Sequence, residues 1–407
     1  MVSSHCINSY KGELLLIYLG IDVSKDKHDF CILSQDGEML TKPFSVPNSR
    51  EGYDKLFTVV SAFENNPENV KAGLEATGHY SFAILGYLLE KGFTCFVFNP
   101  LHTNLYRKAI SLRKTKTDKV DSKTIAKMLL SSVGLRPYSK ALYHNEQLKS
   151  LSRYRFSKVR ERAYLKQQLA RLVNILFPEL EKLVPSLHMS SVYALLEQFP
   201  GASYIANAHL TKLTNLLSSS SRGHYKKEKA IQLRNAAMSS VGCVMPAKSL
   251  ELRHTVALIR VLSEEIDEIE AEIKNLMDEL HSPITSIPGI SYRMAAMILS
   301  EIGDFSNFDS PDKILAFAGL SPSTYQSGKL DNAHSHMEKR GSKYLRYALY
   351  NAAIYVCMWD KTFADYLHKK LAEGKHYYVA ISHAIKKLVR LIYALQTTGQ
   401  TYVSATA

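Results

Sequence analysis

The sequence predicts an α/β domain with a mixed sheet, then a long helical region, then a mainly α-helical C-terminal section. Three patterns predict it. Apolar and alternating runs separated by turn residues fill residues 14–135. Aliphatic residues at heptad spacing dominate the end of a second stretch, 146–281. Helical periodicity without clear strands continues through 282–397.

The elements follow in order. Leu15 to Ser24 reads as a buried strand and Asp26 to Ser34 as a second. Gln35-Asp36-Gly37-Glu38 is a hairpin turn, because Asp-Gly tolerates the positive φ that such turns require. Met39 to Val46 is a third strand, Asn48 to Phe63 a helix and Val70 to Ala76 a fourth strand. Tyr80 to Lys91 is a helix, Phe93 to Asn99 a fifth strand, and helix resumes near Leu101. The order β-β-β-α-β-α-β-α implies a mixed sheet covered by helices. RNase H-like nucleases and actin-like sugar kinases both have this order, so it does not separate them.

From Glu146 the pattern is long helix. Leu165, Leu169, Leu172 and Leu176 repeat at helical spacing, and Pro178 should end or kink that helix. Leu252, Ile259, Leu262, Ile266, Ile269, Ile273, Leu276 and Leu280 form a heptad stripe that predicts a coiled coil, within the chain or between subunits. Between these runs, residues 185–248 read as an insert, helical in part. Its loop carries Arg222, Lys226, Lys227 and Lys229. In the last section Ile287-Pro288-Gly289-Ile290 precedes a helix from about Tyr292 to Ile302. Ser321 to Glu338 is a polar loop. Helices are expected over Ser342 to Met358, Phe363 to Leu371 and Tyr377 to Leu395. Trp359 and its aromatic neighbours are assigned to the core in preference to base-stacking.

The 407 residues suffice for two or three cores. At 46% apolar and 22% charged the composition is globular. Lys and Arg number 51 against 38 Asp and Glu, and the net charge of +13 favours a polyanionic partner. The five cysteines are far apart, without metal-ligand spacing, which argues for a reducing compartment. No signal peptide and no apolar run of membrane-spanning length is visible, so a cytoplasmic location is expected.

Four carboxylates stand out. Asp22 ends the first strand and Glu75 the fourth, so the two should be neighbours in the sheet. Asp118 and Asp121, three apart at a helix start, share one face. Singly, each has a structural explanation: a strand end, a helix cap, a favourable first-turn charge. Together they suit phosphodiester chemistry, in which hard divalent ions such as Mg²⁺ prefer carboxylate oxygen. Arg107, Lys108, Arg113, Lys114, Lys116 and Lys119 crowd the same stretch and are candidates to position phosphates. Lys339, Arg340, Lys343 and Arg346 are further candidates for nucleic-acid contact.

Three segments, Tyr18-Leu-Gly-Ile-Asp-Val-Ser-Lys25, Leu74-Glu-Ala-Thr-Gly-His-Tyr80 and Lys114-Thr-Lys-Thr-Asp-Lys-Val-Asp-Ser122, resemble the DEDD transposases of the insertion-sequence one-ten family, relatives of the pilin-gene invertases. The C-terminal blocks Ile287-Pro-Gly-Ile290, Glu301-Ile-Gly-Asp304, Phe317-Ala-Gly-Leu-Ser-Pro322, Gln326-Ser-Gly328, Lys339-Arg-Gly341 and Tyr344-Leu-Arg346 resemble the same family. The resemblance implies an RNase H-like (RuvC-like) domain holding Mg²⁺ through Asp22, Glu75, Asp118 and Asp121. It implies a C-terminal transposase domain whose nucleophilic serine is Ser327, joined covalently to DNA during exchange. It further implies donor and target DNA as partners, a structured guide (bridge) RNA that reads sequence by base pairing, and a dimer that pairs into a tetramer. Many relatives have serine before the Lys-Xaa-Gly motif, where this chain has Glu338. The Ile287–Ile290 turn resembles a helix-hairpin-helix turn, which would aim backbone N–H groups at phosphate; a plain packing turn is the alternative.

Three other functions share part of this pattern. A RuvC-like nuclease or junction resolvase would share the carboxylates but need no serine. An actin-like kinase would need further Gly-rich phosphate loops, and none is evident. A transposase-derived binding protein without catalysis would have no reason to keep the carboxylates and the serine.

Overall fold

Strand β1 (Ile17–Val23) is buried along nearly its whole length, as its apolar run predicts. It pairs antiparallel with β2 (Lys27–Leu33), which pairs antiparallel with β3 (Phe44–Pro47). In the computed structural model, which describes residues 16–75, 80–98, 100–110, 118–131, 137–138, 140–321, 326–327, 330–331 and 337–404, the chain divides into two compact units, Met1–His144 and Asn145–Ala407.

In the first unit Gly37 takes φ +82 in the β2–β3 turn, as Asp-Gly chemistry requires. The third strand is shorter than the expected Met39–Val46. Met39 makes only an isolated bridge to Leu33, and Pro43, just before the strand, has no N–H to give a ladder. Helix α1 (Arg50–Ser61) is capped by Ser49, whose hydroxyl accepts from Gly52 N–H at 3.2 Å. Then come β4 (Val70–Glu75), α2 (Ser81–Glu90), β5 (Thr94–Phe98), α3 (Pro100–Ile110) and α4 (Asp118–Ser131). The sheet order is β3-β2-β1-β4-β5, with β4 and β5 parallel to β1. Alternation along the strands separates two faces. Ile17, Leu19, Ile21, Phe30 and Ile32 pack with Leu56, Ile84 and Leu88 of α1 and α2. Tyr18, Cys31, Leu33, Phe96 and Phe98 pack with Ile125, Ala126 and Leu129 of α4.

The second unit is helical. Helix α5 (Lys140–Leu176) stops before Pro178, as expected. The insert folds as α6 (Leu180–Leu183), α7 (Ser190–Gln198), α8 (Ala202–Ala206), α9 (Leu210–Ser220) and α10 (Lys227–Met238), around a core that includes Leu196, Ile205, Leu213 and Leu233. Its loop exposes Arg222, Lys226 and Lys227, whereas the Lys229 ammonium donates to the Leu183 carbonyl and to Gln232. Helix α11 (Pro246–Leu280) runs antiparallel to α5. The cross-links Arg155–Glu270 at 2.6 Å, Lys158–Glu265 at 2.7 Å and Arg162–Ser263 at 3.1 Å descend one helix as they climb the other. The stripe from Leu252 to Ile273 is buried within the chain, against Leu169, Leu172 and Leu176 at one end and beside Leu148 at the other. Beyond it the buried row passes to Met277 and leaves Leu280 exposed, the drift expected of 3.6 residues per turn. An intramolecular helix pair therefore accounts for the heptads, and they give no support to an intersubunit seam.

The rest comprises α12 (Tyr292–Ile302), α13 (Pro311–Phe317), the short strands β6 (Gln326–Ser327) and β7 (Leu330–Asp331), α14 (Lys343–Trp359), α15 (Lys361–Ala372) and α16 (Tyr377–Thr398). Helices α12, α14 and α16 share one core with the end of α11. Trp359 does not join it: the residue is 72% exposed, contrary to its expected core role. No described helix is long and apolar enough to cross a membrane.

Candidate active site

Two glycines fix how α4 meets the sheet. A Cβ on Gly20 would lie 2.2 Å from the Ser122 carbonyl oxygen and 2.4 Å from Ala126 N, so α4 rests directly on β1. Gly73 on β4 faces Ile125 and Leu129 of the same helix. Two residues further along each strand, about 6.6 Å on, Asp22 and Glu75 point to that same face. Their strands pair in register, Ile21 opposite Leu74, so the carboxylates stand side by side at adjacent strand ends. Both are half-buried. Leu130, at the far end of α4, reaches the Gly37 turn, which lies at the opposite end of β2. Hence α4 runs antiparallel to β1, and its acidic start lies at the Asp22 end.

Asp118 opens α4, and its side chain lies outside the described residues. Asp121 is held by Arg107 Nη1 at 3.3 Å, and Arg107 also donates to Asn104 at 3.0 Å. Arg107 thus offsets the charge of Asp121. Lys108 is exposed at the end of α3; Arg113, Lys114 and Lys116, and the side chain of Lys119, lie outside the described residues. Among the described residues no three His, Cys, Asp or Glu side chains converge closely enough to hold a metal.

One carboxylate escaped the sequence reading. Asp29 on β2 lies directly opposite Asp22, and opposite residues of an antiparallel pair share a face. Asp29 is 2% exposed, accepts from Ser45 Oγ at 2.5 Å and pairs with Lys27 Nζ at 3.2 Å. Asp29, Asp22 and Glu75 thus form a row across β2, β1 and β4, with the Lys27 ammonium at its outer edge. Only the cross-strand register reveals this, because Lys27-His28-Asp29 reads locally as a polar strand start. Just past Asp22 the chain is held by His28, fully buried, which accepts from Ser24 N–H at 3.3 Å and bonds Tyr53 at 3.1 Å. Burial pushes its pKa down, against the hydrogen bonds and the nearby Asp29 charge that raise it.

Ser327 lies in the second unit. It sits in β6, paired with Leu330 of β7; its side chain and residues 328–329 lie outside the described residues. The stem of its loop is closed tightly. Gly319 takes φ +67 and Gly341 φ +100; a Cβ on either would meet the other side's carbonyl, Arg340 or Phe317, at 2.0 Å. Lys339 N–H donates to the Gly319 carbonyl at 3.2 Å and Ser342 N–H to the Phe317 carbonyl at 3.0 Å. Arg346 Nη1 donates to the carbonyls of Ala318, at 2.8 Å, and Lys339, at 3.2 Å. Arg346 is therefore a clamp on the stem, whereas Lys339, Arg340 and Lys343 are exposed. Glu338 is exposed too, and its backbone N–H closes the stem on Ser321 at 3.2 Å. The Gly289 turn packs on α14, where a Cβ would come within 2.6 Å of the Tyr355 carbonyl, which explains the glycine by packing.

Beneath the stem, Glu301 of α12 is 4% exposed. Arg153 of α5 grips it with bonds of 2.6 and 3.0 Å, and Ser342, the cap of α14, donates at 2.6 Å. Burial pushes the Glu301 carboxyl up, but those hydrogen bonds and the Arg153 charge outweigh it and hold it below the usual range. Its stabilising contribution is therefore complete above the ordinary carboxyl pKa, about 4.3, and is lost as pH falls through the lower folded value. Breaking a buried pair costs about 3–5 kcal/mol; Arg153 is 42% exposed and can be solvated once its partner is gone, so Glu301→Ala should destabilise this unit by about 2–4 kcal/mol at neutral pH. In urea melts the deficit should shrink below about pH 4; a deficit that persists unchanged there would contradict an ionised Glu301.

Residues 19–178 match the DEDD-domain model of IS110 elements, described as a transposase, and residues 281–368 match the model described as the transposase IS116/IS110/IS902 family. The chain is 24% identical to the pilin gene-inverting protein of Moraxella bovis over 386 residues, 93% of this chain and 95% of that one. It is 23% identical over 409 residues to an uncharacterized 43.6 kDa protein of insertion element IS110 from Streptomyces coelicolor, 95% of this chain and 96% of that one. It is 31% identical over 147 residues to the transposase of element IS1328 from Yersinia enterocolitica, 35% of this chain and 43% of that one. The first domain is accordingly RNase H-like, and a domain of that type implies a divalent cation. The donor set fits one in kind, since Asp22 and Glu75 offer hard oxygen ligands side by side at the acidic start of α4. With both family models matched in order and relatives spanning nearly its whole length, this chain belongs to the IS110 family of transposases, enzymes that recombine DNA.

Proposed function

We propose that the chain cuts and rejoins DNA through a covalent phosphoserine link at Ser327, with Mg²⁺ held by Asp22, Glu75, Asp118 and Asp121. The observation that carries this reading is the pair Asp22 and Glu75, side by side at the ends of adjacent parallel strands where α4 begins with two aspartates. Mg²⁺, when bound, supplies a Lewis acid that stabilises charge on the phosphate and the leaving oxygen. Ser327 supplies the nucleophile: a bond forms from its Oγ to phosphorus as one P–O bond of the strand breaks, and the serine proton ends on the departing oxygen. Bond energy kept in the phosphoserine serves rejoining. Lys108, Lys114, Lys116, Lys119, Lys339, Arg340 and Lys343, with Arg113, contact nucleic acid, and Arg107 and Arg346 order the groups around them.

In this proposal residues 14–135 are the metal-binding domain, 146–281 the helical region and 282–397 the transposase domain. A structured guide RNA from the element's flanks pairs with donor and target DNA, so base pairing reads sequence and the protein reads shape. The chain works as a homo-oligomer on the bacterial nucleoid, because exchange must hold two DNA ends at once; the buried heptads play no part in that argument. The test is to incubate the protein with Mg²⁺ and element-end DNA, with and without RNA transcribed from the flanks. Strand cleavage should require both metal and RNA. Equal cleavage without RNA would remove the guide, and cleavage in excess chelator would remove the metal.

A further inference from the structure

We propose that the outer row of α14 is a stacking track for single-stranded DNA. Lys343, Tyr347, Asn351, Tyr355 and Trp359 recur every four residues, so each stands about 40° around the helix from the last, and the row winds obliquely across the uncovered half of α14 over about 24 Å. The aromatic members are exposed where the rest of the helix is core: Tyr347 46%, Tyr355 48% and Trp359 72%, with Met358 beside them at 68%. Exposed aromatics grouped in this way mark a candidate interaction surface.

Charge decides which partner. Helix α14 contains no Asp or Glu, and its N-terminal approach exposes Lys339, Arg340 and Lys343 against one carboxylate, Glu338. At the same end Arg160 lies over Phe156, which packs edge-on against Tyr347 at 4.9 Å. The partner is therefore anionic along one end and offers flat faces along the rest. A helix seam between two copies would prefer aliphatic knobs. Here every aromatic of the row carries a polar tip, and Asn351 interrupts it. A positively charged approach leading onto successive aromatic faces is how single strands are held without sequence preference. The position fits a DNA recombinase. The helix begins two residues after Gly341, which closes the stem of the Ser327 loop, so a strand unpaired near the cut would pass onto α14. The proposal rests on the chain's DNA-acting family and not on the serine chemistry.

Trp359 is the sole tryptophan of the chain, so its fluorescence reports on the track alone. The full-length Ser327→Ala protein, in chelator so that no cutting contributes, is titrated with a short mixed-sequence single-stranded DNA, the matching duplex and the matching single-stranded RNA. Single-stranded DNA should quench the emission at lower concentration than either of the others. Tyr347→Ala and Tyr355→Ala, both exposed sites with melting expected near that of the parent, should each weaken that binding by about 5- to 150-fold. Absence of quenching, equal quenching by duplex, or quenching by RNA alone would overturn the proposal. So would a blue shift that grows with protein concentration without nucleic acid, because a second copy of the chain would then cover the row. None of these outcomes bears on Ser327, whose role is read from covalent attachment.

Discussion

Asp22→Asn combined with Glu75→Gln should lower the rate of strand cleavage by at least about 10³-fold, since removing even one electrostatic stabiliser of a transition state costs on the order of 10²- to 10³-fold. Folding should be nearly unchanged. Both side chains are half-buried at strand ends, the amide replacements keep their shape, and the core of the sheet lies behind them. The check is a single-turnover cleavage rate beside a thermal melt. A rate within about tenfold of the parent, with the melt intact, would mean that these two carboxylates are strand-end residues without a part in the chemistry.

The second large effect is structural and falls on Gly20. Its hydrogen occupies the space between β1 and the α4 backbone, and Gly20→Val would drive a branched side chain into the Ser122 carbonyl and Ala126 N. Backbone cannot yield as a flexible side chain does, so the helix must lift. Overpacking costs about 1–3 kcal/mol even where side chains can adjust, and here the upper end or more is expected. Lifting α4 also carries Asp118 and Asp121 away from Asp22, so activity should fall further than stability alone dictates. Protease resistance of the first unit and cleavage rate, measured together, test this. A Gly20→Val chain as stable and as active as the parent would show that α4 does not sit on β1 as described.

These two sites also show what the sequence could and could not reveal. Asp22 and Glu75 were legible because each ends an apolar run, and strand order alone makes those ends neighbours. Asp29 was not, because its membership of the row depends on the register Asp22↔Asp29, which no local pattern carries. The heptad of α11 was plain, but its partner was not: α5 is largely polar, and it is matched to α11 through ion pairs such as Arg155–Glu270 as well as through leucines. The third strand is shorter than the Met39–Val46 run suggests because Pro43 has no N–H to donate to a ladder. Hydrophobicity alone assigns Trp359 to the core. Its position in the α14 row turns it outward, and only the packing of α12 and α16 decides which face of that helix is covered. Arg346 looked like its basic neighbours in composition, yet its guanidinium closes a loop stem, a role set by two carbonyls far from it in sequence or across the turn. Ser327 was distinguished from other loop serines by family resemblance alone.

The central claim is therefore best tested on Ser327 itself. Protein, Mg²⁺, element-end DNA and RNA from the element's flanks are incubated, denatured and examined for protein covalently joined to DNA, with Ser327→Ala and Asp22→Ala run beside the parent. The account predicts an adduct that requires RNA, is absent from both variants, and leaves phosphate on the peptide containing Ser327 after nuclease digestion. Cleavage that needs Asp22 but leaves no adduct and survives Ser327→Ala would contradict it, and would make the chain a carboxylate-dependent nuclease.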